Sequence, residues 1–497
     1  MATIDKDKIV QSVPQRGFFG QPKGLFTLFF TEFWERFSYY GMRALLLYYM
    51  YNEIASGGLG MDNGTAKSIM AIYGSLVYMS GIIGGWIADR LFGTQRTVFY
   101  GGIFIMFGHI VLALPAGMTA FFISMFLIII GTGLLKPNVS NIVGDLYSQK
   151  DARRDSGFSI FYMGINMGAF IAPFIVGTLG QTYNYHLGFG VAAIGMLIGL
   201  IVFLLTRKKY LGLAGTYVPN PLEDNEKRKV YTRFIISALI IAAVLAITIP
   251  LDILTMNRFT YVVSFLGIII PTCYFIFMYK SPKTNADERS RLIAYIPLFI
   301  AAIMFWAIQE QGSIILAEYA DKRTQLNVFG IPLQSSWFQS LNPLFIITLA
   351  PVFAGLWIKL GDRQPATSRK FSYGLLFAGL SFLVMIIPAS LNGTETLVSP
   401  IWLVLSFLLV VIGELCLSPV GLSATTKLAP AAFSAQTMSL WFLSNASAQG
   451  INAQIVKLYK PETEIVYFGV IGGTAIVLAL ILYIASPKIQ SFMKGVR

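Results

Sequence analysis

Long apolar runs separated by short polar stretches dominate this chain of 497 residues. A helix needs about 20 predominantly apolar residues to cross a bilayer core about 30 Å thick. Fourteen runs are long enough, which predicts an all-α polytopic membrane protein with fourteen transmembrane helices. The predicted spans are residues 26–52, 65–88, 97–115, 119–146, 156–181, 187–206, 234–254, 259–279, 291–317, 333–358, 371–389, 399–426, 432–456 and 465–486.

The spans fall into groups of six, two and six. A stretch rich in charge, Pro and Gly, RKKYLGLAGTYVPNPLEDNEKRK, follows the sixth span and is typical of a linker. We therefore predict an N-terminal six-helix bundle over residues 1–206, a cytoplasmic linker with an inserted two-helix hairpin over 207–290, and a C-terminal six-helix bundle over 291–497. Two such bundles around a central path are the architecture of many secondary transporters.

Composition and charge agree with a membrane protein. Only 12% of the residues are charged, whereas soluble domains carry about a quarter. Lys and Arg number 37 against 24 Asp and Glu. With the N-terminus inside, 28 of the 37 basic residues lie in inner segments and six in outer loops. Basic residues are retained on the cytoplasmic side, so both termini are predicted there and nucleic-acid binding is excluded as the source of the charge.

The N-terminal segment and the cysteines set further expectations. The first twenty-odd residues are polar and lack the apolar core of a signal peptide, so we expect no removable signal and a multi-pass protein of the cytoplasmic membrane. Cys273 and Cys416 both lie in apolar runs and cannot form a disulfide framework or a zinc cluster. We expect no metal site and no cofactor.

Ionisable side chains inside the spans are the first candidates for function, because a charge in the membrane is costly unless it is paired or hydrated. Spacings of three, four and seven residues place the charged side chains of the first span on one stripe of the helix, with tyrosines on nearly the same side. The seven charges are Glu32, Glu35, Arg36, Arg43, Lys136, Glu310 and Glu414, and the tyrosines are Tyr39 and Tyr40.

Two interpretations of this stripe are open. It is either a buried ion-pair network that fixes the first helix, or a proton site whose carboxylates change protonation as their charged partners move. Four charges on one stripe of a single helix favour the proton site. Lys136 stands beside the helix-breaking Pro137. Glu310 and Glu414 are the complementary acids of the second half, and opposite charges spread over two bundles can form gates that break and re-form.

The loop after the second predicted span carries a known pattern. In GGWIADRLFGTQRTV, the residues Asp89, Arg90, Gly93 and Arg96 resemble the Gly-x4-Asp-Arg-x2-Gly-x-Arg pattern of the major facilitator superfamily, with one residue more between Gly93 and Arg96. The chain resembles that superfamily, and the resemblance implies its fold and a structural role for Asp89, Arg90 and Arg96 in this loop.

Three further segments are more specific: EFWERFSYYGMRA at 32–44, GTGLLKPNVS at 131–140 and FSIFYMGINMGAF at 158–170. Together they resemble the signatures of bacterial proton-dependent oligopeptide transporters, and the likeness extends over nearly the whole chain. Members of that family often have fourteen spans with an inserted hairpin. The resemblance implies a symporter that imports di- and tripeptides by alternating access and is driven by the proton gradient.

The resemblance also implies roles for individual residues. It implies that Glu32, Glu35, Arg36 and Lys136 couple transport to protons. The residues implied around the peptide are Arg36, Arg43, Tyr39, Tyr40, Tyr78, Lys136, Asn166, Trp306, Glu310, Asn342, Glu414 and Trp441. The gate charges are Arg43, Glu310, Lys136 and Glu414, with Arg43 and Glu310 as the extracellular pair. The residue types agree with this, since a zwitterionic peptide needs cations at one end and an anion at the other.

Rival functions were weighed against the same residues. A carrier of another small anion or metabolite, for example nitrate, could use the same fold. A membrane enzyme would need a nucleophile beside a base or a set of metal ligands, and the two histidines of the chain neighbour no carboxylate at such spacing. We therefore expect no enzyme, but a carrier whose partners are short peptides, protons and membrane lipids, without nucleic acid and functional as a monomer.

Overall fold

Fourteen long helices make up most of the computed structural model, which describes residues 6–148, 151, 153–251 and 253–495. They are α1 (Gly24–Tyr51), α2 (Asn63–Ile87), α3 (Thr94–Ala113), α4 (Gly117–Asp145), α5 (Arg154–Ala172), α6 (Tyr185–Tyr210), α7 (Asp224–Thr248), α8 (Met256–Lys280), α9 (Ala286–Glu310), α10 (Leu341–Leu360), α11 (Thr367–Leu383), α12 (Ile401–Leu428), α13 (Ser434–Ile455) and α14 (Glu464–Phe492).

Short elements extend or join these helices. Two π-helical segments prolong α2 and α5, and the strands β1 (Asn327–Val328) and β2 (Ile331–Pro332) form a small antiparallel hairpin. The short segments are Lys6–Ser12, Phe18–Gly20, Ile54–Ser56, Ala88–Phe92, Pro173–Gly177, Thr178–Thr182, Gln311–Ser313, Ile315–Lys322, Ser335–Ser340, Gly361–Arg363, Ile386–Asn392, Ala431–Phe433, Val456–Leu458 and Pro461–Thr463.

Twelve helices of the described chain are long and apolar enough to cross a membrane. The predicted spans 26–52 and 432–456 also form helices, α1 and α13, but these are not among the twelve. Their charged and amide side chains lower the mean hydropathy, and those side chains face the interior of the protein. The prediction of an all-helical polytopic protein is confirmed, whereas the count of fourteen crossings stays a prediction.

The two groups of six helices repeat one packing plan. In the first group α1 packs on α5 and α6, α3 on α4 and α6, and α2 on α4. The same ordinal pairs contact each other in the second group, where α9 packs on α13 and α14, α11 on α12 and α14, and α10 on α12. The structure therefore contains an internal repeat that the residues themselves do not display. The predicted domain boundaries at 206/207 and 290/291 stay a prediction.

Glycines allow equivalent helices to cross closely in both groups. A Cβ atom on Gly131 of α4 would stand 2.7 Å from the carbonyl oxygen of Gly101 on α3. In the second group a Cβ on Gly413 of α12 would stand 2.7 Å from the oxygen of Gly374 on α11. Backbone atoms cannot yield at these crossings, so any side chain must push the two helices apart.

Replacing Gly131 by Ala is expected to destabilise the protein by roughly 1–3 kcal/mol, the usual effect of overpacking. The added methyl group meets the Gly101 oxygen and the Ile105 backbone nitrogen of α3 as well as the Ile105 side chain, and the backbone atoms cannot rotate away. Thermal unfolding in detergent measures the change. Gly473→Ala in α14 is the matched control, because its Cβ would meet nothing within 4 Å. Equal unfolding temperatures for the two variants would contradict the close-crossing argument.

The two groups meet through α2 with α13 and through α5 with α10. Each pair joins the second helix of one group to the fifth of the other, as an approximate two-fold relation requires. The inserted hairpin lies outside this contact. Its helix α8 packs on α13 and α2, whereas α7 is exposed along its apolar length.

The segment between α6 and α7 is held against the inner loop of the superfamily pattern. Gln95 donates from its side chain to the Ala214 oxygen at 2.6 Å, and the Asn220 amide donates to the Asp89 oxygen at 3.0 Å. Arg90 forms an ion pair with Glu226 near the start of α7 at 2.8 Å, while Arg96 is exposed. The predicted linker is thus an ordered connection that anchors the hairpin to the first group.

Candidate functional site

A cavity of about 340 Å³ lies between the two groups of helices. Tyr162 on α5 and Leu422 on α12 line it and are 46% and 39% exposed. Tyr162 lies in the first half of α5, which begins at Arg154, and Leu422 lies in the last quarter of α12, which ends at Leu428. Both of these helix ends lie on the side predicted to be cytoplasmic. The cavity therefore opens toward the inside.

The predicted charge stripe of α1 forms part of the cavity wall. Glu32, Arg36 and Arg43 line the cavity and are almost completely buried. Arg36 Nε lies 3.1 Å from Glu32 Oε1 and also contacts Glu35. Glu35 itself is fully buried behind the wall and does not line the cavity. One guanidinium is thus shared by two carboxylates, as the spacing predicted.

Arg43 reaches across the boundary between the groups. Its Nη2 atom lies 2.5 Å from Glu310 Oε2 and donates to Ser313 Oγ at 2.9 Å. Glu310 also accepts hydrogen bonds from Asn445 and Gln449 on α13. The predicted partners Arg43 and Glu310 therefore form an ion pair in this structure.

Lys136 extends into the cavity from α4, where Pro137 lies inside the helix and removes one backbone hydrogen bond. The proline has no N–H, and the neighbouring Asn138 side chain donates to the oxygens of Leu134 at 2.8 Å and Gly84 at 3.1 Å. The Lys136 ammonium lies over the ring of Tyr78, 4.5 Å from its centroid. Three cations, those of Arg36, Arg43 and Lys136, thus share one side of the cavity.

The opposite wall carries a separate acid. Glu414 on α12 accepts a hydrogen bond from Gln309 at 2.9 Å and lies beside the amide of Asn342 on α10. Asn166 on α5 also lines the cavity. Lys136 and Glu414 are both on the wall, but no ion pair joins these two described residues. The wall formed by the first group thus carries three cations and one acid, Glu32, whereas the charged side chains of the second group on this wall, Glu310 and Glu414, are acids.

Aromatic side chains fill much of the remaining wall. Trp306 and Trp441 meet edge to face with their ring centroids 6.4 Å apart, and Tyr40 lines the cavity on the side of α1. Tyr39 is different: it does not line the cavity but stacks on Tyr73 behind the wall. Its predicted contact with substrate has no support from this geometry.

Several polar and aromatic wall residues were missed by the sequence reasoning. The amides share no spacing with charged residues of α1, so no pattern along the chain marks them. The missed wall residues include Tyr162, Gln309, Ser313, Gln339, Phe407, Ser418, Phe442 and Asn445.

The outer end of the molecule is closed by bonds between the two groups. Lys67, deeply buried in α2, forms an ion pair with Glu318 at 2.8 Å. Trp337 donates to Thr178 at 2.8 Å, and further bonds join Tyr48 to Ala317, Tyr51 to Asp321 and Gln181 to Ser335. The structure is therefore closed outside and open inside.

A sequence profile of the POT family matches residues 95–473, which is more than half of the chain. The chain belongs to the POT family. This confirms the resemblance to proton-dependent oligopeptide transporters, and with it the major facilitator fold and a multi-pass membrane protein.

Among the described residues, no group of three His, Cys, Asp or Glu side chains is placed to hold a metal ion.

Known proteins of the POT family are similar over their full lengths. A di-/tripeptide transporter of Lactococcus lactis subsp. cremoris is 50% identical over 496 residues, covering 97% of this chain and 99% of its own. An uncharacterized transporter of Bacillus subtilis (strain 168) is 67% identical over 496 residues, with 100% of both chains covered. A crystal structure of a peptide transporter POT in complex with sulfate matches with a TM-score of 0.97 and 68% identity, covering 99% of this chain and 100% of that chain.

Proposed function

We propose that this protein is a proton-coupled symporter that imports di- and tripeptides across the cell membrane by alternating access. The observation that carries the proposal is the charge distribution of the cavity. Arg36, Arg43 and Lys136 can bind a peptide carboxylate, and Glu414 on the facing wall can bind the amino terminus. The name of the Lactococcus relative supports the same substrate class.

The aromatic wall suits a carrier that accepts many peptides. Side chains such as Trp306 and Trp441 offer large apolar faces with few fixed hydrogen bonds, so they tolerate different peptide side chains. A tightly hydrogen-bonded socket would select one substrate. The cavity also limits substrate size, since about 340 Å³ is at the lower end of ordinary small-ligand sites.

In the proposed cycle, protons and peptide control which end of the cavity is closed. A proton enters near Glu32 and Glu35 while a peptide binds between the groups. The Arg43–Glu310 pair, which is formed in the present structure, then closes the outer end. Release of peptide and proton to the cytoplasm resets the carrier. The cycle needs no enzymatic step, no cofactor and only one chain.

The alternative on the same fold is a carrier of inorganic anions such as nitrate. Three cations could bind such an anion, but an inorganic anion brings no cationic group to pair with Glu414. Family membership and the named relative favour peptides over this alternative. Competition separates them: an anion carrier should ignore a peptide with free termini.

The direct test is transport by the purified protein in liposomes. Under an inward-directed proton gradient, labelled dialanine should accumulate above its outside concentration, and a protonophore should collapse the accumulation. Protein-free liposomes are the control. If dialanine only equilibrates across the membrane and does not accumulate, transport is not coupled to protons. If dialanine is not taken up but nitrate is, the alternative is favoured.

Replacing Gly421 by Ala is expected to discriminate against bulky peptides. A Cβ at Gly421 on α12 would stand 2.0 Å from Cη2 of Trp441, so the indole, which lines the cavity, must shift and change the shape of the wall. Diphenylalanine should then compete with labelled dialanine roughly tenfold less well than in the wild type, a typical effect of crowding an apolar pocket. Gly355→Ala, in open space on α10, is the control. An unchanged ratio between the two peptides would contradict the placement of Trp441.

A further inference from the structure

The segment before α1 folds back against the inner end of the first group of helices. Ile9 and Val13 are buried in a cluster with apolar residues of α1, α4 and α6. Gln21 donates from its side chain to Ser156 Oγ on α5 at 2.9 Å. We call this segment, residues 6–23, the N-terminal strap. It lies on the side of the membrane that is predicted to be cytoplasmic.

The strap ends in a turn that exposes an aromatic ring. Phe19 has φ 50° and ψ 40°, a left-handed conformation that a bulky residue rarely adopts, and it is 72% exposed. Its ring contacts Phe18 with centroids 4.7 Å apart, and Phe18 packs on Phe26 and Phe30 of α1 at 5.6 and 6.2 Å. We call these four phenylalanines the aromatic step. A residue held in an unfavourable conformation and turned outward is a candidate for a binding surface.

The aromatic step lies at the level of the inner membrane surface. Phe26 begins the first predicted span, and its ring centroid lies 6.2 Å from that of Tyr210, the last residue of α6. Leu205, little more than one turn earlier on α6, is 76% exposed, as is usual for a residue that contacts lipid. Aromatic side chains favour the boundary between lipid and water. Phe19 is therefore placed to enter the headgroup region of the bilayer.

Three exposed cations surround the aromatic step. The ammonium groups of Lys23 and Lys209 lie 5.8 and 6.0 Å from the ring centroid of Tyr210. Lys23 also lies against Gly17, where a Cβ atom would overlap its Cγ, and Arg16 directly precedes this glycine. None of the three cations forms an ion pair or a side-chain hydrogen bond with a residue that the structure describes. Their charge is thus available to an anion.

An open groove of about 690 Å³ adjoins these charges. The guanidinium of Arg153 pairs with Asp151 at 2.8 Å and donates to the Gln15 oxygen at 2.9 Å, which fixes one side of the groove. Asp151 balances the charge of Arg153, so Arg16 supplies the net positive charge. The volume is within the range of sites for small ligands. The groove is lined by Gln15, Arg16, Gly17, Gly20 and Arg153.

We propose that the N-terminal strap and the end of α6 form a binding site for an anionic phospholipid of the inner leaflet. The phosphate binds among Arg16, Lys23 and Lys209, and the acyl chains pass over the aromatic step to the exposed apolar face of α6. Basic side chains beside an apolar surface at the membrane boundary favour this ligand. A zwitterionic lipid gains less from the three cations, because it brings its own positive charge.

The test measures the thermal unfolding of the purified full chain in detergent micelles that contain phosphatidylglycerol or phosphatidylcholine. A ligand that binds only the folded protein raises its unfolding temperature. Phosphatidylglycerol should reach its half-maximal effect at an about tenfold lower fraction of the micelle than phosphatidylcholine. About 1 M salt should remove this difference, since it shortens the screening length to about 3 Å. Equal effects of the two lipids at low salt would overturn the proposal.

A soluble headgroup distinguishes a lipid from a free phosphate. Glycerol 1-phosphate has the phosphate but no acyl chains, so it should leave the unfolding temperature unchanged at the concentration at which phosphatidylglycerol acts. An equal rise with glycerol 1-phosphate would show a site for soluble phosphate and would overturn the assignment to a lipid.

Paired variants separate this site from the general charge of the inner surface. Lys23→Gln/Lys209→Gln should need about tenfold more phosphatidylglycerol than the wild type for the same rise in unfolding temperature. Arg228→Gln/Lys229→Gln is the matched control, because it removes two exposed charges from the inner end of α7, and it should behave like the wild type. Equal losses in both double variants would overturn the proposal.

Phe19→Asn tests the apolar part of the site. Asparagine tolerates the left-handed conformation, so the turn is kept while the ring is lost. Without lipid the variant should unfold at a temperature no lower than that of the wild type, whereas its affinity for phosphatidylglycerol should fall about threefold or more. Earlier unfolding without lipid together with wild-type lipid affinity would show that the ring only supports the fold, and would remove Phe19 from the site.

Discussion

Replacing Glu35 by Gln is expected to abolish proton-driven accumulation of dialanine while leaving peptide exchange across the membrane partly intact. Glu35 is fully buried and shares Arg36 with Glu32. Glutamine has a similar size but cannot carry a proton, so the cycle loses its coupling step. Exchange requires only that the loaded carrier reorients.

Two assays in liposomes check this prediction. Accumulation is measured under an imposed pH gradient, and exchange is measured as counterflow of labelled peptide without a gradient. Glu53→Gln, in an exposed outer loop, is the matched control and should accumulate peptide normally. If Glu35→Gln accumulates dialanine under the pH gradient alone, Glu35 does not have the proposed role in proton coupling.

Replacing Glu414 by Gln is expected to weaken the binding of dialanine by about 30-fold or more. The carboxylate would form a buried charge pair with the peptide amino group, and loss of one partner of such a pair costs about 2 kcal/mol or more. The effect should depend on that amino group. N-acetyl-dialanine, which has no charge there, should bind the wild type and the variant equally weakly.

Isothermal titration of both peptides against both proteins measures the difference. The acetylated peptide is the internal control for general damage to the cavity. If its affinity falls by the same factor as that of dialanine, Glu414 supports the cavity and does not bind the amino terminus. Unchanged dialanine binding would show that the peptide amino terminus binds a different acidic residue.

The helix pattern could be predicted from the sequence because hydropathy reports where a chain meets lipid. Runs of about 20 apolar residues have few alternatives to a membrane helix. The same logic explains why α1 and α13 are not among the twelve helices that are apolar enough to cross a membrane. Their polar side chains face the cavity or the boundary between the groups. Side chains there do not contact lipid, so they need not be apolar.

The candidate site could be predicted in part. Charges in the membrane stand out against an apolar background, so Arg36, Lys136 and Glu414 were recognisable as residues of the site. Neutral amides do not stand out in this way. Asn445 and Gln449 became visible only when α13 was packed on α9, because their importance lies in what they touch.

By itself, the sequence determined the helical membrane class, the orientation from its basic residues, the family and the charged residues of the cavity. These follow from composition and from spacing within single helices, which are local properties. Only the tertiary structure decided which charges pair across the boundary, that Tyr39 lies behind the wall, that the outer end is closed, and that the halves share one packing plan. These depend on contacts between helices far apart in the chain, and hydropathy carries no information on which helix faces which.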